Sequence, residues 1–493
     1  MKLRLIAVMA VLASVFCCAA KMSNANMPEA LSEIPGLDVT ELDNIRLIPR
    51  PECGTRGSKE SEKTEFAHIV MSTPGTLDSE LGVLKLTIDS ISIEGPLNDD
   101  DFYTIWESSF YGSLKVVNLE KAVLQDGKIP DYAFFHLNEQ KVPDTQFVTL
   151  YTIHLKKIIL PEGLTEIGRC AFAYAISLVD IDLPTTLRTI GVAAFSDCIR
   201  LTTEALAFNE GLELIDTQAF YQCYDLKGTL RIPSSVRAIG QSTFYHCPIS
   251  EVELPEGIEA MGGMAFEGSN FKSIYIPDGC MLARNGYQFY GNRSLEDVRL
   301  PETLEYLPDG IFDLCNLLSS IELPAGIERI GEGAFYETAI VEITLPDKVQ
   351  SIGNDAFRSC VKLEKVTLPA ALMTIGCSAF DYCPKLREIT CMAPVPPECI
   401  NEDAVLDFAP VFTGFPRDIP VYVPMGSGKL YSEAPGWDYF TNFIEKEFPG
   451  LSVDAVSASD ENRDLLFDIN GRRINSPEPG LPYIRNGKVH IRK

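Results

Sequence analysis

Apolar positions in this chain fall into short alternating runs, not helical stripes. One phrase recurs, spelled most clearly from Pro324 through Pro346 to Pro369. It reads Leu-Pro, two residues, an aliphatic, two residues, Ile-Gly, two residues, Ala-Phe, two residues, then a small residue or Cys. A short apolar run comes next and leads into another Leu-Pro. Alternation of period two predicts a strand, with Leu363, Val366 and Leu368 facing inward. The proline cannot donate to a ladder, so it ends the strand and turns the chain. Ile352 and Ala356-Phe357 are expected to form the opposite wall, with Gly353 supplying a tight bend that a side chain would obstruct.

The phrase repeats at Ile167-Gly168 with Ala171-Phe172, Ile190-Gly191 with Ala194-Phe195, and Ile215-Asp216 with Ala219-Phe220. It continues at Ile239-Gly240 with Phe244 and at Met261-Gly262 with Ala265-Phe266. The turn from Pro277 keeps only Phe289, and the turn from Pro301 carries Leu307-Pro308 where Ile-Gly is expected. A period of about 23 residues with one short strand each is the signature of a leucine-rich-repeat solenoid. The predicted fold is therefore a stack of short parallel strands, one per repeat, with an irregular or short-helical convex side. One turn buries only about seven apolar side chains. At ~1.5–3 kcal/mol each, these cannot offset ~1–2 kcal/mol of ordering entropy per residue over ~23 residues. Stability must come from stacking.

Other parts of the chain deliver or close this array. Leu84, Leu86 and Ile88, then Ile91 and Ile93, have strand spacing, and Ala133-Phe134 stands in the Ala-Phe slot. The array is accordingly expected over 76–393, with degenerate first turns at 76–157. Residues 21–75 are polar and proline-bearing and read as a linker. Residues 394–447 lose the phrase. A Pro-rich loop, a strand at Ile419–Pro424 and a short amphipathic helix from Trp437 read as a cap, with Trp437 and Phe440 packing inward. Residues 448–493 read as a linker and a small β-hairpin module turning at Asn486-Gly487.

Residues 1–20 differ from the rest. Lys2 and Arg4 precede an apolar run from Leu5 to Phe16, followed by Cys17, Cys18, Ala19 and Ala20. That is the order of a secretory signal, and ~18 Å of helix is too short for ~30 Å of hydrocarbon. Two cleavages are open. Cleavage after Ala20 leaves a soluble chain. Lipoprotein processing would leave lipid on Cys17 or Cys18, although neither follows the small residue a lipobox usually has. The first is favoured. No later segment reads as transmembrane.

The formal net charge is −27, from 69 acidic against 42 basic residues. It disfavours nucleic acid as a partner and keeps a long solenoid soluble. Cys198, Cys223, Cys247, Cys315, Cys360 and Cys383 share one slot after the repeat Phe, where other turns have Ala175, Ser269, Asn292 or Thr338. A slot shared by small residues predicts buried free thiols. Cys391 and Cys399 are a candidate bridge beyond the last strand. His68, His136, His154, His246 and His490 have no chelating spacing, and no nucleotide, metal or nucleophile motif occurs. No cofactor and no catalytic residue is expected.

Residues between inward strand positions should form ladders on the exposed strand face, with rungs ~4.8 Å apart. One row reads Asp182, Glu253, Tyr275, Arg299, Glu322, Thr344, Thr367, Thr390; its neighbour includes Asp297. The bland expectation is a solvated face. The functional expectation is a binding strip centred on Tyr275 and Arg299, with Glu253, Asp297 and Glu322, because aromatics and Arg are enriched at hot spots.

Taken together, Leu-Pro, Ile-Gly, Ala-Phe, Cys and Leu over residues 114–391 resemble the BspA-like leucine-rich repeat family of bacterial surface proteins. Val421–Pro424 and Gly436-Trp437 are similar to the segment that closes the array in that family. The resemblance implies a secreted or surface solenoid that binds a protein or glycan on host or neighbouring cells, without catalysis. A membrane would be reached only through a lipid anchor. The tail from Phe467 to Arg473 with its hairpin looks like a C-terminal sorting module of certain Gram-negative secreted proteins, and is short for one. Alternatives are a surface spacer or stalk and a glycan-handling enzyme, the latter without candidate residues.

Overall fold

The computed structural model describes residues 65–135, 153–204, 206–400 and 411–448, with backbone strands at 45–47, 148–150, 466–468, 473–474, 482–485 and 488–491. The expected signal segment 1–20 with Cys17 and Cys18, most of the expected linkers, and His136 lie outside the described residues. The chain divides into two compact units, Met1–Leu226 and Lys227–Lys493. Each is a parallel-strand solenoid with turns about 23 residues apart and little helix.

Most regular turns carry two short strands, where the pattern predicts one. The first follows the Cys slot and ends at Leu-Pro, as in Lys365–Leu368. The second is two residues long and ends on the Ile of Ile-Gly, as in Ser351–Ile352. Where the ladders run unbroken, as from Pro324 onward, each pairs in parallel with its equivalent in the next turn, giving two ladders. In regular turns six consecutive turn residues, as at 354–359, lead from the second ladder back towards the first. They replace the short helix considered for this side.

The bends of this turn side come from non-glycine residues. Asp355 and Ser359, four positions apart, have φ of 54° and 59°, and Ala193 and Asp197 repeat the arrangement at 53° and 59°. Such left-handed residues cost of order 1–3 kcal/mol each, so the stack must hold them. Gly353 has a different task from the bend expected of it. A Cβ there would lie 2.6 Å from the Glu332 amide nitrogen of the preceding turn. The slot is glycine because neighbouring backbones touch.

In the first unit, one sheet orders Phe66–Val70, Ser90–Leu97, Val116–Leu124, Lys157–Ile159 and Asp180–Asp182 side by side. It begins within the stretch 21–75 read as linker. Residues 82–86 form a 3-10 turn with Leu84 and Leu86 exposed, not the strand their spacing suggests. A twelve-residue helix, Asp99–Phe110, stands where degenerate turns were expected. Asn98 caps it in a capping box with Asp101, whose buried carboxylate also accepts from the Gly75 and Leu77 amides. Phe102 of this helix meets Phe134 edge-on at 6.0 Å. A ring stack then runs through Phe172, Phe195 and Phe220 at 4.9, 5.1 and 5.2 Å.

In the second unit, Phe244, Phe266, Phe289, Phe312, Phe335, Phe357, Phe380 and Phe412 form a stack of their own. It ends on Trp437 and Phe440, both buried as expected. The amphipathic helix expected from Trp437 is instead a 3-10 turn, Trp437–Tyr439, and a strand, Phe443–Lys446. That strand pairs with Val421–Pro424, so backbone pairing to an open ladder edge wins over helical spacing. A separate four-stranded antiparallel sheet holds the C-terminal strands, with Arg485 opposite Lys488; the Asn486-Gly487 turn expected between them lies outside the described residues.

Candidate functional site

The first ladder presents alternate side chains outward, and the structure shows how its rows are matched. In the first unit, Lys157 Nζ lies 2.7 Å from Asp180 and 3.5 Å from Asp182 on the next turn. In the second, Arg231 lies 3.3 Å from Glu253, Thr229 donates to Glu251 at 2.7 Å, and Lys365 lies 3.4 Å from Glu342. Thr344, Thr367 and Thr390 are register partners. Exposed ion pairs of this kind contribute ~0–1 kcal/mol each, so they organise the face more than they hold the fold.

Tyr275 and Arg299 are register partners on Ser273–Tyr275 and Asp297–Arg299. The Arg299 guanidinium carbon sits 4.8 Å from the Tyr275 ring centroid. The Tyr275 hydroxyl lies 3.5 Å from a Glu256 carboxylate oxygen. Tyr275 is 36% exposed, and Arg299 and Asp297 are exposed. Asp297 stands opposite Ser273 in the same strand pair. Glu253 is on a different pair, beside Arg231. Glu322 is exposed but lies on no strand, so the structure separates it from the other four.

The cysteine slot proves to be more than a small space. Sγ of Cys198, Cys315, Cys360 and Cys383 each donates to the carbonyl of the repeat Phe one turn earlier, at 3.1, 3.3, 3.0 and 3.2 Å. In the same slot Asn292 donates to the Phe266 carbonyl at 2.9 Å. Burial pushes the Cys360 thiol up to about 12, which suits a packing group and not a nucleophile. All described cysteines are free thiols. The candidate bridge between Cys391 and Cys399 is therefore absent, and Cys391 Sγ instead accepts from the buried Tyr431 hydroxyl at 3.1 Å.

The turn side carries chemistry that the pattern did not flag. The residue after each repeat Phe forms a row: Tyr245, Glu267, Tyr290, Asp313, Tyr336, Arg358, Asp381. Burial pushes Glu267 up to about 8, against the opposing effect of a Tyr245 hydrogen bond. Burial, then the Glu337 and Asp355 charges, push Asp313 up to about 7. The signal was available as a fixed offset from Phe, but the offset alone does not say which polar residues are covered. Among the described residues no group of three His, Cys, Asp or Glu side chains could hold a metal ion.

The BspA type leucine rich repeat region description matches residues 140–272, 213–319 and 283–396, in 6 copies. Those matches span more than half of the chain. The chain belongs to this family.

The similar solved structures are distant in sequence. A leucine-rich repeat protein from Bacteroides ovatus is 21% identical, over 62% of this chain and 78% of its own, with a TM-score of 0.44. The pneumococcal vaccine antigen PcpA is 20% identical, over 73% and 80%, with a TM-score of 0.40. A leucine rich cell surface protein from Faecalibacterium prausnitzii is 22% identical, over 57% and 83%, with a TM-score of 0.33. No curated protein matches the sequence. Among the described residues no helix of this BspA-type chain is long and apolar enough to cross a membrane.

Proposed function

We propose that this BspA-type chain is an exported, cell-surface interaction protein that binds a macromolecule, a protein or glycan of a host or neighbouring cell, without catalysis. The binding strip is the first-ladder face around Tyr275, Arg299 and Asp297, flanked by Glu253. The observation that carries the reading is the register pairing of Tyr275 with Arg299. It lays a guanidinium over an exposed ring and presents aromatic surface and fixed charge together. Export rests on the charged and apolar order of residues 1–20, with lipid on Cys17 or Cys18 as its less favoured form.

The test is binding of the purified chain from residue 21 onward to immobilised matrix proteins and bacterial glycans, beside the Tyr275→Ala/Arg299→Ala variant. Saturable binding lost in the variant, with the thermal transition unchanged, supports the strip. Binding retained by the variant moves the site elsewhere. No binding to a broad panel favours the spacer reading.

A further inference from the structure

Within the second unit the stack is not uniformly bonded. The turns 277–300 and 301–323 are consecutive, yet neither strand ladder joins them. The ladder of Ala238–Ile239, Ala260–Met261 and Met281–Leu282 stops at Leu282, and a separate ladder starts at Tyr306–Leu307. On the other side Ser273–Tyr275 pairs only with Asp297–Arg299, and 319–323 form no strand.

The sequence supplies a cause. In regular turns the glycine amide after Ile donates to the preceding turn, as Gly331 does to Leu307 and Gly353 to Ile330, both at 2.9 Å. Pro308 occupies that slot in the turn 301–323 and has no N–H to offer Leu282.

Three other observations converge on the same stretch. The ring spacing opens to 6.4 Å for Phe266–Phe289 and 6.1 Å for Phe289–Phe312, against 5.1 and 5.2 Å for Phe335–Phe357 and Phe357–Phe380. Gln288 stands in the Ala slot and Asn292 in the Cys slot, both fully buried. Ser269 Oγ, Gln288 Oε1, Asn292 Oδ1 and Asp313 Oδ1 are buried without a hydrogen-bond partner. Buried polar atoms left unpaired are costly, and four of them in adjacent turns mark a stretch that packs less well than its neighbours.

What does join the two turns lies mainly on the turn side. Tyr287, Phe289 and Gly291 amides donate to Asp309, Ile311 and Asp313 carbonyls at 2.7, 3.2 and 2.8 Å. At the proline corner Glu302 N donates to Asp278 at 2.7 Å and Gly279 N to Thr303 at 3.1 Å. Arg284 also sits over the Tyr306 ring at 5.6 Å.

We propose that this junction is a hinge: turns up to Leu300 and turns from Pro301 pivot about the bonded turn side, opening and closing at the unpaired ladders. A pair of turns joined by a ladder must break its bonds to move; here there are none to break. The hinge also cuts the exposed row between Arg299 and Glu322, so ligand contacts on its two sides need not act as one rigid surface.

Amide hydrogen exchange on the full exported chain, followed by mass spectrometry, tests this without a ligand. Amides of 304–307 and 319–323 should exchange at least tenfold faster than their equivalents at 327–330 and 342–345. In Pro308→Gly, which restores the missing donor, exchange at 304–307 should slow towards the equivalents. Equal protection of the two sets in the unmodified chain would overturn the hinge, whether or not the variant folds. Fast exchange unaffected in a folded Pro308→Gly chain would overturn the assigned cause.

Discussion

The turns from Pro324 to Cys391 spell the repeat phrase in full, those from Pro277 to Leu323 keep only its frame, and the two runs close differently. In the first run Glu342–Thr344, Lys365–Leu368 and Glu388–Cys391 form a continuous ladder. Rings stack at close to 5 Å, and Cys360 and Cys383 cap the Phe carbonyls. In the second run the phenylalanines remain while the slots around them change to Gln288, Asn292 and Pro308. The ring stack and the turn-side hydrogen bonds persist in both runs, whereas the small slots decide how tightly each turn bonds to its neighbour.

The largest test of that contrast removes a ring from each run. Phe357→Ala should cost ~3–5 kcal/mol, because the fully buried ring leaves a cavity the tight run cannot close. Phe289→Ala should cost visibly less, because its neighbours already stand further apart. Denaturant unfolding of both variants measures the gap, and equal losses would remove the distinction. Next in size is Gly353→Ala. The added Cβ meets backbone of the preceding turn, and overpacking of this kind costs ~1–3 kcal/mol.

The loosely packed run and the turn before it should also respond to pH. The folded-state values of Asp313 and Glu267, about 7 and about 8, lie above their ordinary 3.8 and 4.5 because burial disfavours charge. Their stabilising effect is complete below the ordinary values and is lost as pH rises to about 8, since the unfolded chain releases these protons first. Thermal unfolding across that window should show the loss, and Asp313→Asn with Glu267→Gln should flatten it. A profile unchanged in the double variant would show that these groups titrate normally.

Smaller effects come from single contacts. Cys360→Ala removes the thiol donated to the Phe335 carbonyl and should cost about 1 kcal/mol in the same unfolding experiment. Arg299→Ala removes an exposed cation–ring contact worth ~0.5–1 kcal/mol, so its stability change should be the smallest even where ligand binding is lost.

Much of this was legible in the chain. The strands ending at Leu-Pro, the inward wall of Ile and Phe, and the buried thiols come from spacing and from which residues share a slot. So does the opposition of Tyr275 and Arg299, since one period separates them. The helix Asp99–Phe110 was not, because tertiary coverage of the first ring chose it over a degenerate turn. The strand Phe443–Lys446 was misread as helix because an open ladder edge outweighs local periodicity. Glu322 was placed in the row by counting alone, and residues 319–323 form no strand to hold that register.

The period, the inward face and the residues that stack are written in the chain, because these are properties of each side chain and its distance along it. The second ladder, the close backbone contact at Gly353, the thiol bonds to Phe carbonyls and the unpaired junction after Arg299 arise only on folding. Each of these depends on a backbone group of the neighbouring turn, about 23 residues away, whose position no local pattern records.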